Sequence, residues 1–226
     1  FGYGILAANA LVIASIPDME AIFEEKENCI LAFSFLMGMS ETVFWFTNFI
    51  ASFIINIVIY LVISLVFSFW AGMNDNSFTM IFVVSIFYII AELWFQYFIS
   101  TFLNNVKNGR GLLVGLIMAS TATAFVFQFA TLTHHSGATT TVIYIFSFFP
   151  MSAYELFIMQ GSIASYTNNI PTYRWNNMND GAYFCRPWIP LVWLIMDFVI
   201  YFLLFLVLNA FLPRKYGHPP LKISHF

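Results

Sequence analysis

Apolar runs long enough to cross a bilayer recur along this chain, separated by short polar segments. No other feature narrows the choice of fold as much. A helical span needs about 20 residues at a rise of about 1.5 Å each. Membrane β-strands would instead alternate in polarity over about ten residues. The runs here are continuous, so they read as helices. Composition points the same way. Hydrophobic residues make up 61% of the 226 residues and charged residues only 8%, against about 25% charged in soluble domains. A water-soluble chain of this size has too little interior to hide 29 Phe side chains. The expected class is all-α, a polytopic transmembrane helical bundle forming a single transmembrane domain over residues 1–226. The net charge of −3 comes with no basic patch, which excludes nucleic acid as a partner.

Five spans are expected, at about residues 1–16, 49–71, 78–102, 111–132 and 191–212. Pro17 and Asp18 end the first, and Pro190 and Pro213 bound the last. The chain starts at Phe1 without a signal-peptide pattern, and is expected to begin inside a longer protein. Lys26, Lys107, Arg110, Arg214, Lys215 and Lys222 fall on one side if the chain crosses at each span. Those are six of the eight basic residues, so that side is assigned to the cytoplasm. Arg174 and Arg186 are then external. Cys29 and Cys185 lie on opposite sides, which forbids a disulfide between them. The localisation expected is a multi-pass membrane protein.

Two polar connections are long. Residues 18–48 carry Glu20, Glu24, Glu25, Lys26 and Glu27, then an apolar run, Ile30 to Met37, closed by Gly38. The four-residue spacings of Leu31 with Phe35 and of Phe33 with Met37 suit a short interfacial helix. A cytoplasmic extension of a span is the other reading. The external segment, 134–188, begins apolar, breaks at Phe149-Pro150, and resumes from Met151 to Met159. Two short helices joined at the proline would either dip into the outer leaflet and return, or lie flat on its surface. Residues 162–183, rich in Asn, Tyr, Gly and Thr, read as an external loop.

A few polar residues sit inside the spans. Glu92 is about 21 Å into the third span, where an ionised carboxylate facing lipid is costly. Gln96 is one turn on, on the same face. They either line a substrate path or form a structural hydrogen-bonded pair. Asp197 lies about 10 Å into the last span, reached by water or bonded to a neighbouring helix. Asn56 reads as helix-to-helix glue. Gly111, Gly115, Ala119 and Thr123 recur every four residues, a stripe that permits close helix approach. Trp45, Trp70, Trp188 and Trp193 are expected in the interfacial belt. His134 and His135 lack a third ligand at useful spacing, and no nucleophile motif is present, so neither a metal nor a catalytic site is expected.

Two motifs carry a resemblance. Glu25-Lys26-Glu27, then Gly38-Met39-Ser40, then Phe44-Trp45, is similar to the “EKE … MG(L/M)S … (F/H)W” pattern of ABC transporter membrane domains of the ABCA type, an ABC-2-like lipid exporter family. Leu212-Pro213-Arg214-Lys215-Tyr216-Gly217-His218-Pro219-Pro220 resembles the sequence that follows that family's last span. The resemblance covers essentially the whole chain. It implies a type V exporter-like fold with a re-entrant external helical hairpin before the last span. It implies that Glu25, Lys26, Glu27, Gly38 and Trp45 belong to a first coupling region touching an ATP-binding domain, with Asn104 and Lys107 in a second contact. It also implies a second transmembrane half, membrane lipids as the substrate class, and ATP with Mg in a separate nucleotide-binding domain. The chain itself has no GxxxxGK[ST] stretch to hold a nucleotide. A non-transporting scaffold or assembly subunit, or a channel or secondary carrier, are the alternatives. A carrier would favour internal repeats and interrupted helices, and neither is found here.

Overall fold

The computed structural model describes residues 17–69, 77–103, 137–166, 174–179 and 186–211, with short stretches of 107–126 among them. Every regular element described is helical, as the continuous apolar runs require. Residues 17–27 form α1, followed by α2 (Ile30–Leu36), α3 (Glu41–Phe69) and α4 (Phe78–Ser100). The described residues of 107–126 are helical and are called α5. Next come α6 (Gly137–Phe146), α7 (Pro150–Tyr166), a single 3-10 turn at Trp175–Asn177, and α8 (Trp188–Phe211). Three of these, α3, α4 and α8, are long and apolar enough to cross a membrane. The protein is a multi-pass membrane protein built as an all-α bundle.

The helix α4 is the centre, packing on α3, α7 and α8. Its buried residues include Met80, Ile81, Val84, Ile89, Leu93 and Tyr97, spread over most of its circumference. By contrast α3 and α8 each bury one stripe. That of α8 runs through Leu194, Asp197, Tyr201 and Phe205, at helical spacing. Their outer faces expose Ile54, Val58, Val62, Leu203 and Val207. Such faces are costly in water and ordinary in hydrocarbon.

Two expectations about the polar connections change. Residues 17–27, expected as part of a polar connection, are helical from Pro17, and the first expected span, 1–16, lies outside the described residues. Met19, Ile22 and Phe23 are buried, the first and last among Phe95, Ile99 and Tyr201, and Ile22 among Phe44, Trp45, Tyr97 and Phe205. The connection therefore opens with a helix wedged into the bundle. Further on, α3 begins at Glu41, ahead of the expected Phe49, and reaches about 43 Å. Its first turns are polar enough to read as connection, but Phe44 and Trp45 are buried. The run from Ile30 is helical as expected, and Phe33, Leu36 and Met37 on or beside it are exposed.

The segment before α8 holds two helices joined at residues 147–149. The second of them does not lie flat as an amphipathic surface helix would. Every residue from Met151 to Ser162 is buried, which marks a helix enclosed on all sides. Its carboxyl end also takes Ser162 and Ala164, expected in a polar loop, into the core. At the turn, Phe149 meets Phe95 of α4 with ring centroids 6.2 Å apart, and Phe148 meets Tyr201 of α8 at 5.7 Å. Phe95 and Tyr201 lie about 26 Å and 20 Å from the starts of their helices. The turn thus reaches past the middle of both.

Candidate functional site

At one end of the bundle the amino end of α3 meets the carboxyl ends of α4 and α8, and α1 closes the group. Lys26 donates from Nζ to the backbone oxygen of Ser100 at the end of α4. The same ammonium sits 5.8 Å from the centroid of the Trp45 ring, within cation–π range. Glu25 accepts a hydrogen bond from the Asn48 amide at 3.3 Å. Burial raises the Glu25 carboxyl above its ordinary range, and the Asn48 amide offsets part of that rise. Glu41 Oε1 accepts from the Trp45 indole at 3.3 Å and from the Asn209 amide of α8.

These contacts make a clamp. Trp45 is 6% exposed, with the rings of Tyr97 and Phe205 at 5.3 and 5.1 Å. It is a core residue of the clamp rather than an interfacial anchor. The two ends of the first motif, Glu25-Lys26 and Trp45, are brought together across four helices. Glu27 and Gly38 of the same motif remain at the surface. Gly38 has φ +90°, a conformation that favours glycine and lets the chain turn from α2 toward α3. Lys107 is exposed on α5, and Asn104 lies outside the described residues. Gly109 touches α1: a Cβ there would fall 2.3 Å from the Phe23 ring. Helical residues 107 and 108 precede it, so Gly109 is a close-packing position inside the helix.

The intramembrane polar residues form two groups. Glu92 and Gln96 are 3% and 1% exposed, and the Gln96 amide donates to Glu92 Oε1 at 3.3 Å. With Asn56, Tyr60 and Tyr88 they line a cavity of about 10 Å3 between α3 and α4. Asn56 does act between helices, donating to Asp18 of α1 at 2.6 Å. The other group holds the hairpin. Ser85 of α4 bonds the Tyr154 hydroxyl of α7 at 2.7 Å and faces Ser64 of α3 at 3.3 Å. Thr123 of α5 donates to Glu155 at 2.9 Å, with Ser152 at 3.3 Å from the same hydroxyl. Tyr201 donates to the Phe148 carbonyl at 2.8 Å.

Asp197 is fully buried, at 0% exposure, on the inner stripe of α8. Among the described residues neither carboxylate oxygen has a hydrogen-bond partner. Sequence reasoning missed Glu155 and Tyr154 as interior polar residues, because α7 was read as an external segment, and it did not single out Ser85 within the third span. The signal was available: a stretch apolar all round, with small residues, belongs inside. The small stripe of α5 differs from expectation too. Gly111 and Gly115 have nothing within 4 Å of where a Cβ would stand, and Ala119 is exposed; only Thr123 is buried. The paired histidines and Cys185 lie outside the described residues, and Cys29 is free and exposed.

The residues 1–207 match a family model described as ABC-2 family transporter protein. No curated protein matches the chain.

Proposed function

Because the chain belongs to the ABC-2 family of membrane transporter proteins, we propose that it is the membrane part of an ATP-driven exporter of the ABCA type, moving lipids or other hydrophobic substrates between leaflets or across the bilayer. The observation that carries this reading is the clamp. Lys26 and Trp45, the anchors of the motif that resembles a coupling region, bind α1 to α3, α4 and α8 at one end of the bundle. A push delivered to α2 and its flanks enters three spans together.

The remaining parts follow from that reading. The clamped end faces the cytoplasm, in keeping with the basic residues. A nucleotide-binding domain, in the same chain or another, binds ATP and Mg2+ and closes against the exposed surface around Glu27, Gly38 and Lys107, with Asn104 in the second contact. A second transmembrane half completes the path. The helices α6 and α7 form a re-entrant hairpin, supported by a turn lying against Phe95 and Tyr201 deep in the bundle. The choice of lipid rests on the two motifs, with aromatic, apolar outer faces as a suitable border for acyl chains.

The test is ATPase activity of the full-length protein in lipid nanodiscs of defined composition. Stimulation by particular lipids, lost when Lys26→Met and Trp45→Ala are combined, is the expected result. Basal hydrolysis that ignores every lipid and both substitutions would overturn the exporter reading and favour a scaffold.

A further inference from the structure

We infer that the cavity between α3 and α4 is a binding site for one water molecule, anchored on the Glu92 carboxyl and bridging it to Asn56. The void has a volume of about 10 Å3, near the lower bound for a single water. A void of that size lined by apolar groups stays empty, whereas one with two to four polar partners retains its water. Asn56, Tyr60, Tyr88, Glu92 and Gln96 all contribute to this lining. Donors and acceptors are both present: the tyrosine hydroxyls offer protons, and the carboxyl and amide oxygens accept them.

Orientation favours the bridge. The Asn56 amide nitrogen is already committed to Asp18 Oδ2 at 2.6 Å and to the Ser52 carbonyl at 2.9 Å. What remains of that side chain for the void is its carbonyl oxygen. Across the void, the Gln96 amide donates to Glu92 Oε1 and fixes the carboxyl plane. A water placed there donates to Asn56 and to Glu92 and accepts from a tyrosine hydroxyl. The result is a continuous polar ladder, Asp18–Asn56–water–Glu92–Gln96, running from α1 through α3 to α4. A displacement of α1 then reaches Glu92, deep in α4, without exposing a carboxyl to lipid. A water in the ladder also lets α3 and α4 shift while both sides keep a partner.

The experiment is radiolytic hydroxyl labelling of the full-length protein in nanodiscs, after brief mixing into oxygen-18 water, read by mass spectrometry. A trapped water oxidises the side chains around it and exchanges late. The expected result is modification of Tyr60 and Tyr88, with oxygen-18 incorporation lagging behind exposed Trp175. Leu93 also lines the void, so Leu93→Phe should fill it and reduce modification of both tyrosines several-fold. Tyr60 and Tyr88 left unmodified in the unaltered protein would overturn the proposal. So would equal modification in a folded Leu93→Phe protein. Should that variant not fold, a cryo-EM map resolving ordered waters elsewhere decides: a peak between Asn56 and Glu92 supports the site, and an empty void overturns it.

Discussion

The hydroxyl of Tyr201 donates a 2.8 Å hydrogen bond to the carbonyl of Phe148. One side chain of the last span thereby holds the turn between α6 and α7. The bond also satisfies a backbone oxygen in the interhelical turn, where water is scarce. Replacing Tyr201 by Phe keeps the ring contacts with Phe95 and Phe148 and removes only this donor. Losing one such hydrogen bond in a part-buried place costs about 0.5–1.5 kcal/mol. The expectation is a lowered melting temperature, read by intrinsic tryptophan fluorescence in detergent. Faster proteolysis between residues 134 and 150 should accompany it. An unchanged melting curve would mean that the turn is held by its rings alone.

A second anchor of the same helix is the Ser85–Tyr154 pair, with Ser64 behind it. Ser85→Ala and Tyr154→Phe should each destabilise the protein by about 0.5–1.5 kcal/mol. The double variant should lose less than the sum, since the second change removes a group already without its partner. Simple additivity in that double-mutant cycle would show that the two hydroxyls do not interact.

Glu25 supplies a prediction with a sign. Its folded-state carboxyl is raised above the ordinary value of 4.5, burial being the larger cause and the Asn48 hydrogen bond acting against it. The folded protein therefore holds this proton more tightly than the unfolded chain does. Its protonation favours folding below the unfolded value, and that contribution is lost as pH rises through the folded one. Ionised Glu25 is thus a net cost near neutrality. Glu25→Gln, which keeps a polar partner for Asn48, should raise the melting temperature at pH 7 and have little effect near pH 4. A variant less stable at pH 7 would show that the charge itself is favourable there, through groups such as Lys26.

Glycine at 109 is required by the Phe23 ring, which would lie 2.3 Å from a Cβ. Phe23 is fully buried, so the ring has little room to retreat. Gly109→Ala should cost about 1–3 kcal/mol through overpacking. Adding Phe23→Leu should recover much of the loss. The measurement is expression and thermal stability of the single and double variants. A single variant as stable as the parent would mean that α1 and α5 can separate freely.

What the sequence disclosed, and what it hid, divides along contact range. The apolar runs of α3, α4 and α8 are local properties, and their length alone implies spans. The pairing of Glu92 with Gln96 is one helical turn, equally local. The helix at residues 17–27 was missed because Pro17, Asp18 and the glutamates that follow resemble a polar connection, while what holds the helix is burial of Met19, Ile22 and Phe23 against distant spans. The clamp was visible as a motif but not as an object. Lys26 finds its partner 74 residues away, and Glu41 meets Asn209 at a separation of 168. Glu155 was hidden for the same reason, accepting from Thr123, 32 residues earlier on another helix.

The stripe on α5 turns that lesson into a test. Spacing alone says that Gly111, Gly115 and Ala119 allow a neighbouring helix to approach closely. Among the described residues the approach is not made: Gly115 is exposed and nothing described lies within 4 Å of its missing Cβ. A Leu at 115 therefore meets no atom of its own chain among the described residues. Gly115→Leu should leave stability of the isolated chain unchanged to within about 0.5 kcal/mol, or raise it slightly through better helix propensity. If the stripe serves the second transmembrane half instead, the same substitution will weaken pairing while folding survives. Co-purification of differently tagged halves, run beside a melting curve of the single chain, separates the two effects. Loss of folding in the single chain would contradict the exposed placement of Gly115 and restore the packing that its spacing implies.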